Sequence, residues 1–273
     1  MKKRKLEIIV LSDIHLSTFG SKAKEVSQYL DSIDPEMLIL NGDIVDVWQF
    51  SKNYFPKSHF KVLQQIIQFA AKGIPVYYLT GNHDDMLRHL SDVQVGNVHL
   101  RDKLLLDVDG KKVWIFHGDV FDASIKKTKW IAKMGSNGYG FLILVNQLIN
   151  WILGLFGQPK MSLSKKIKDS VKKAVSIASD FEKTATDLAI DKGYDYVICG
   201  HIHKPQMKQI TNEKGSVWYL NSGDWMENLT ALEYNKGQWS MYKYHETHYG
   251  LMLKPKKKKA KQRHQELREA VLN

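Results

Sequence analysis

The sequence predicts an α/β protein, because apolar runs with the character of buried strands alternate with helical patterns. Five runs have the length and the β-branched or aromatic content of strands, and they read LEIIVL, EMLIL, PVYYLT, KVWIF and YDYVIC. Helical patterns precede the second and third runs, and they read KAKEVSQYLDSI and FKVLQQIIQFAAKG, the latter ending at Gly73. Strands that alternate with helices build a sheet that is covered by helices.

The first run follows a basic start, MKKRK, which is also how a secretory signal begins. Its apolar part, Leu6–Leu11, contains Glu7 and is too short for the core of a signal peptide. We therefore expect it to be a buried strand. The single cysteine, Cys199, cannot form an intramolecular disulfide, and this fits a reducing compartment.

The chain has 273 residues and a formal net charge of +11, and its length suits one large domain or two small ones. The positive excess lies at the two ends. Four basic residues occupy positions 2–5, and seven lie at 254–263 with no acidic residue between them, so the body of the chain is near neutral. Such ends can bind anionic lipid headgroups or nucleic acid, and the alternative is a solvated tail.

Each of the five predicted strands is followed at once by side chains that can bind metal ions. The segments that follow the strands are SDIH, NGDIVD, GNHDD, HGD and GHIH. One such motif alone is often a simple turn or a histidine satisfied in the core. In α/β sheets, however, sites form at the carboxyl ends of the strands. We therefore expect the five strand ends to converge.

The side chains at these strand ends offer carboxylate, amide and imidazole donors, and they are Asp13, His15, Asp43, Asn82, His117, His201 and His203. Seven donors are too many for one tetrahedral zinc ion, and they suit two divalent metal ions that share one carboxylate. Oxygen and nitrogen donors without thiolate favour Mn²⁺, with Fe, Zn²⁺ or Mg²⁺ as alternatives. Two such ions can hold a phosphoryl group and generate a hydroxide between them.

The series SDIH, GDIVD, GNHD, HGD and GHIH resembles the motifs of the calcineurin-like metallophosphoesterases, over about residues 8–245. The resemblance implies a four-layer αββα sandwich with a dinuclear metal centre. It divides the donors between two metal ions, the first held by Asp13, His15 and His203 and the second by Asn82, His117 and His201. Asp43 would bridge the two ions.

The resemblance also implies that the histidine of GNHD acts on the substrate and does not bind metal. His83 would lie over the substrate phosphate, where it stabilises the transition state or protonates the leaving group, and Asp84 would orient it. Asp46 would be the partner of a metal-binding histidine. The alternative for Asp84 and Asp46 is plain turn formation.

Three features resemble, more narrowly, the branch of this family that hydrolyses UDP-2,3-diacylglucosamine in lipid A biosynthesis. They are Trp48 at the end of GDIVDVW, a closing segment with the pattern Gly-x-Trp, strand and turn, and an insertion of 83 residues between His117 and His201. In that branch the insertion forms a helical lid that takes up the acyl chains. The sequence departs from the branch at His83, where its best-known members have arginine.

What the resemblance implies is hydrolysis of a pyrophosphate. A metal-bridged hydroxide would attack one phosphate in line and release UMP and 2,3-diacylglucosamine 1-phosphate, while the metal ions and His83 offset the developing negative charge. The alternative enzyme is a nuclease or nucleotide phosphodiesterase. A scaffold without activity is disfavoured, because all seven donor positions are filled.

The insertion has helical patterns over about residues 124–190 and contains the uncharged run YGFLILVNQLINWILGLFG. As a helix, the 17 residues from FLILV onward would span about 25 Å, which is short of the roughly 30 Å of a bilayer core. Asn146, Gln147 and Asn150 form a polar stripe on it. We expect a lid or membrane-facing helix whose stripe contacts the substrate together with Trp48. The alternative is a core or dimer-interface helix.

Together these patterns predict a metallophosphoesterase domain at residues 1–245 and a basic tail at 246–273. The expected partners are a lipid-linked nucleotide and the surface of the inner membrane, to which a cytoplasmic protein would bind peripherally. Nucleic acid is not the expected partner, and the sequence leaves the oligomeric state open.

Overall fold

The computed structural model describes residues 3–47, 54–121 and 180–245. Trp48, Asn146, Gln147 and Asn150, most of the insertion and the basic tail lie outside the described residues. Among the residues that are described, no helix has the length and apolar character that crossing a membrane requires.

The first part of the chain forms a β-α-β-α-β unit that contains the first three predicted strands. Its elements are β1 (Arg4–Leu11), α1 (Ala23–Ser32), β2 (Ile33–Asn41), α2 (Lys57–Ala71) and β3 (Val76–Leu79). The three strands are parallel neighbours. Because such crossovers are right-handed, both helices lie on one face of the sheet. They contact each other where Gln65 Nε2 donates to the Ser27 carbonyl at 3.0 Å.

Four further strands complete this first sheet. They are β4 (Gln94–Val95), β5 (Val98–Arg101), β11 (Thr230–Asn235) and β12 (Gln238–Lys243), and a 3₁₀ helix at Asp85–Leu90 precedes β4. The strand order is β12-β11-β1-β2-β3-β5-β4.

The second sheet contains the other two predicted strands. Its strands are β6 (Lys103–Val108), β7 (Lys111–Phe116), β8 (Tyr196–Cys199), β9 (Gln206–Asn212) and β10 (Gly215–Asn221), in the order β6-β7-β8-β10-β9. The predicted strands β7 and β8 are parallel neighbours. The insertion joins them in the chain, and its described end is a helix, α3, at residues 180–191.

The two sheets pack face to face through alternate residues of their strands. The buried cluster between them includes Ile8, Val10, Ile39, Ile115, Ile198 and Leu220. Burying one such side chain contributes about 1.5–3 kcal/mol. The cluster therefore joins the sheets into a sandwich.

Helices cover both outer faces of the sandwich. Ile9 and Leu11 point away from the second sheet and are fully buried, beneath the face on which α1 and α2 lie. On the other side, Phe181 and Ala185 of α3 belong to a buried cluster with Tyr219 of β10. The architecture is therefore the α-β-β-α sandwich that the motifs implied. The helical lid itself lies outside the described residues, apart from α3.

The carboxyl ends of the predicted strands meet at one end of the sandwich. Asn41, the last residue of β2, connects the two sheets there. Its Nδ2 donates to the Phe116 carbonyl at 3.1 Å, and His117 Nδ1 donates to the Asn41 carbonyl at 2.8 Å. The Gly200 N–H donates to the His117 carbonyl at 3.0 Å. Donors that follow strands of both sheets thus reach one place.

Candidate metal centre

One group of predicted donors consists of Asp13, His15 and His203, whose metal-binding atoms all lie within 4.8 Å of one another. Asp13 Oδ1 is 3.1 Å from His203 Nε2 and 4.0 Å from His15 Nε2. The two histidine Nε2 atoms are 3.4 Å apart. Asp13 and His15 are buried. These are the three residues that the motifs assign to the first metal ion.

A second group consists of Asp43, His117 and His201, again within 4.8 Å of one another. Asp43 Oδ2 lies 3.3 Å from His117 Nε2, and the rings of His117 and His201 have centroids 5.2 Å apart. The same Asp43 oxygen lies 3.8 Å from His15 Nε2. Asp43 therefore faces both groups, which is the position that a bridging carboxylate needs.

Asn82, the remaining predicted donor, is exposed, in a turn between the buried residues Gly81 and Asp84. The next residue of this turn, His83, donates its backbone N–H to Asp43 Oδ1 at 2.8 Å. A β-carbon on Gly81 would lie 2.3 Å from Asp43 Oδ1 and 2.6 Å from Asp43 N, so only glycine allows this close approach.

The backbone of the centre is unusual, because five predicted donors have a positive φ. They are Asp13 (53°), His15 (50°), Asp43 (54°), His201 (67°) and His203 (51°). This conformation is uncommon outside glycine, although Asp and His adopt it more readily than most residues. It costs about 1–3 kcal/mol per residue and concentrates at functional sites. Hydrogen bonds hold it here, since the His15 N–H donates to the Asp43 carbonyl at 2.9 Å and the Asp13 N–H to the Gly42 carbonyl at 3.0 Å.

The donor atoms themselves fit divalent metal ions. Asp13 Oδ1 and His117 Nε2 are buried, and among the described residues no hydrogen bond satisfies either atom. The 3.1 Å contact of Asp13 Oδ1 with His203 is an ion-pair distance without hydrogen-bond alignment. A buried polar atom left unsatisfied costs about 1–3 kcal/mol, and a coordinated metal ion would remove that cost at both atoms. The roles of individual residues as ligands stay a prediction.

Residues 6–205 match the family model described as Calcineurin-like phosphoesterase. The chain belongs to this family. Two bacterial proteins named UDP-2,3-diacylglucosamine hydrolase are similar over nearly their whole length. The relative from Aliivibrio fischeri is 24% identical over 258 residues, covering 87% of this chain and 98% of its own. One from Vibrio cholerae is 25% identical over 257 residues, covering 85% and 96%.

Among solved structures, a dimetal phosphatase from Danio rerio is 9% identical, with a TM-score of 0.40, covering 87% of this chain and 95% of its own. That similarity is too distant to bear on the reaction.

The charges of this calcineurin-like centre are strongly coupled. Burial alone would raise the pKa of Asp13, but His203 and His117 outweigh it and lower the pKa. The pKa of Asp43 is likewise lowered against its burial, chiefly by His117. In turn, the two carboxylates overcome the effect of burial on His117 and raise its pKa well above the ordinary value.

The two histidines of the first group, His15 and His203, have pKa values that are shifted in opposite directions. Burial would lower the pKa of His203, but Asp13 outweighs it and raises the pKa to about 9. Burial is the largest influence on His15 and lowers its pKa to about 4. Histidine binds metals through an unprotonated nitrogen. Metal ions and protons would therefore compete for the coordinating nitrogens of His117 and His203.

His83 points at the centre from the GNHD turn. Its Nε2 lies 4.0 Å from Asp43 Oδ2, its ring centroid lies 4.7 Å from that of His15, and a third of its side chain is exposed. On its other side, Nδ1 lies 3.0 Å from Asp46 Oδ2. Asp46 therefore contacts His83, whereas the motifs led us to expect it beside a metal-binding histidine.

The partners that the structure gives the Asp84 carboxylate belong to the backbone and to Tyr78, so its role in orienting His83 stays a prediction. Asp84 is fully buried, and its carboxylate accepts hydrogen bonds from the Gly81 N–H at 2.5 Å, the Ile44 N–H at 3.0 Å and the Tyr78 hydroxyl at 2.7 Å. These contacts tie the turn that carries His83 to the loop that carries Asp43. Burial and the nearby Asp43 raise the pKa of Asp84. The sequence gives no signal for Tyr78, which lies inside a strand.

Proposed function

We propose that this protein is a dinuclear metal-dependent hydrolase that cleaves the pyrophosphate of UDP-2,3-diacylglucosamine to UMP and 2,3-diacylglucosamine 1-phosphate. The observation that carries the reaction is the meeting of the donor groups at Asp43, where His83 also lies within 4.8 Å of His15 and Asp43 by its metal-binding atoms. The substrate is supported by the names of the two relatives, which align with 87% and 85% of this chain.

In this proposal each donor group holds one metal ion. The first ion is held by Asp13, His15 and His203, the second by Asn82, His117 and His201, and Asp43 contacts both. Two bound divalent ions, Mn²⁺ being the first choice, would supply Lewis acidity toward the phosphate oxygens and a nucleophile from water. Four of the donors, Asp13, His15, Asp43 and His117, are buried, and backbone hydrogen bonds connect the loops that carry them.

His83 would act on the substrate phosphate. Because Nδ1–H donates to Asp46, Nε2 is the nitrogen that faces the centre, and it carries a hydrogen only when the ring is protonated. Burial would lower the pKa of His83, but Asp46 and Asp43 outweigh it and raise the pKa. A protonated His83 would place positive charge against the developing negative charge, and it could pass a proton to the leaving phosphate.

The lipid part of the substrate would be bound by the insertion and by Trp48, and the enzyme would work at the cytoplasmic surface of the inner membrane. The uncharged run of the insertion and its lysine-rich flanks support this, since an apolar surface beside basic residues suits an anionic membrane. The basic tail would add electrostatic attraction.

The test is UMP release from UDP-2,3-diacylglucosamine with Mn²⁺ present. We expect release by the wild type and none above background by Asp43→Ala. A wild type that frees no UMP but hydrolyses other phosphodiesters would contradict the substrate and return attention to a nucleotide phosphodiesterase. Inactivity on every phosphate ester would contradict the reaction itself.

A further inference from the structure

A third buried histidine, His59, lies outside the predicted metal donors and is hydrogen-bonded to the loop that carries His15. It lies in the first turn of α2 and is 3% exposed. Its Nδ1 accepts the backbone N–H of Ser17 at 2.9 Å. An acceptor nitrogen carries no proton, so the ring is neutral with its proton on Nε2. Tyr54 and Phe55 pack edge-on against this ring, at centroid distances of 5.9 and 5.7 Å, and fix its orientation.

Ser17, the residue that His59 holds, is itself in a strained conformation. Its φ is +78°, and it is buried. In this conformation its hydroxyl donates to the Asp46 carbonyl at 2.6 Å. The Asp46 N–H donates to the Leu16 carbonyl at 2.8 Å. The backbone of Asp46 is therefore fixed on both sides by the segment that His59 holds.

Asp46 passes this constraint on to His83. Its carboxylate lies 3.0 Å from His83 Nδ1, and the Val47 N–H donates to the His83 carbonyl at 3.2 Å. A shift of the Asp46 backbone would therefore move the imidazole that faces the substrate. A displacement of about 1 Å in a reacting group can cost on the order of 100-fold in rate.

We infer that His59 is a positioning residue, which sets the place of His83 through Ser17 and Asp46. This inference rests on the proposed function. The path of hydrogen bonds runs through Ser17 and Asp46, which are not predicted metal donors, so we expect the main effect on the chemical step. Because Ser17 lies two residues from His15, Mn²⁺ affinity is measured beside kcat.

The experiment compares two replacements of His59 that differ in one acceptor. Asn places Oδ1 where His has Nδ1, whereas Leu fills a similar volume without an acceptor. For UMP release at saturating Mn²⁺, we expect His59→Leu to lower kcat about 10-fold or more, on the scale of such displacements, with KM and Mn²⁺ affinity little changed. His59→Asn should recover most of the loss.

A double-mutant cycle separates positioning from general weakening of the fold. If His59 acts through Asp46, then His59→Leu added to Asp46→Asn should cause little further loss, whereas independent effects would multiply. Rates are counted per folded protein, with folding followed by thermal unfolding. Should His59→Leu not fold, Ser17→Ala removes only the hydroxyl bond to Asp46 and should show the same lack of additivity.

The results that would overturn the inference are distinct from those that concern the reaction. A wild-type kcat in His59→Leu or in Ser17→Ala would overturn the inference and leave the proposed function intact. The same holds if the effect of either variant multiplies fully with the effect of Asp46→Asn. A wild type that hydrolyses no phosphate ester would overturn both.

Discussion

The same left-handed backbone conformation occurs in two regions of this molecule for different reasons. In two hairpins it closes the turns Asp109-Gly110 and Lys236-Gly237, with φ of 52°, 75°, 53° and 79°. Two-residue hairpin turns need positive φ at both positions, because that twist matches the twist of the strands. These four residues are exposed.

At the metal centre the conformation closes no hairpin. Asp13 and Asp43 follow parallel strands of the first sheet, and both are buried. Their positive φ turns the carboxylates toward the histidines that face them. In the hairpins the backbone shape is what matters, and the side chain is incidental. At the centre the strained backbone serves to aim the side chain, so substitutions there should affect function before stability.

The largest difference between the two regions is expected from the same substitution made in each. Asp43→Asn keeps shape and an acceptor for the His83 N–H but removes a charge that faces both donor groups. We expect UMP release to fall by well over the roughly 10–100-fold that loss of an outer partner of a metal ligand costs. The matched control is Asp109→Asn, which alters only the partner of the Tyr234 hydroxyl and should keep full activity. Similar losses of UMP release in both variants would contradict the distinction between the metal centre and the hairpins.

The second difference concerns metal ions. Mn²⁺ at about 100 times its Kd should stabilise the folded state by about 2.7 kcal/mol, as measured by chemical unfolding with and without the metal. Asp43→Asn should lose this gain, and Asp109→Asn should retain it.

This gain should also depend on pH. The pKa of His203 is about 9 and that of His117 is also raised, so protons compete with the metal below that pH. Stabilisation by a fixed Mn²⁺ concentration should therefore grow from about pH 6 to about pH 8. A gain that is constant over this range would argue against histidine ligands.

The third comparison uses two glycines. Gly81→Ala would place a β-carbon 2.3 Å from Asp43 Oδ1, so the turn must move, and we expect about a 10-fold loss of kcat/KM, or about 1.4 kcal/mol. Gly110→Ala meets no atom within 4 Å, but its φ is +75°. It should lower stability by about 1 kcal/mol and leave activity per folded molecule unchanged. The reverse pattern would contradict the roles given to the two regions.

The smallest effect on stability is expected from a substitution in the hairpin turn at Lys236. Asparagine tolerates the left-handed region better than lysine does, so Lys236→Asn should raise the free energy of unfolding by up to about 0.5 kcal/mol. The Lys236 N–H keeps its bond to Glu7 Oε1. Activity should match the wild type, and a loss of activity would mean that the hairpin influences the distant site.

The predicted strands were recognisable because buried parallel strands are continuous apolar runs, and the donors because they stand directly at the strand ends. Strands such as β9, QMKQITN, carry too little apolar pattern to be recognised, because β9 is an edge strand among the described residues and its side chains are half-buried or exposed. The predicted helix KAKEVSQYLDSI ends one residue early, at Ser32. Asp34 precedes Pro35, which disfavours helix at Asp34, and Ile33 already pairs with β1.

The contact between Asp46 and His83, and the different partners of Asp84, could not be read from the sequence. Both residues lie in turns next to a predicted donor, so spacing does not say which carboxylate reaches His83. The position of the Asp84 carboxylate depends on hydrogen bonds from three donors in different segments of the chain. Only the folded arrangement brings those donors together.

Asn41 has a consequence for how the centre keeps its dimensions. Because a carbonyl can only accept, His117 must present its Nδ1–H to Asn41 and its Nε2 toward Asp43. The side-chain amide of Asn41 also donates to the Phe116 carbonyl, at the end of a strand of the second sheet. One asparagine thus sets both the coordinating face of a histidine and the offset between the sheets. Any sliding of one sheet over the other would therefore change the distance between His117 of the second sheet and Asp43 of the first.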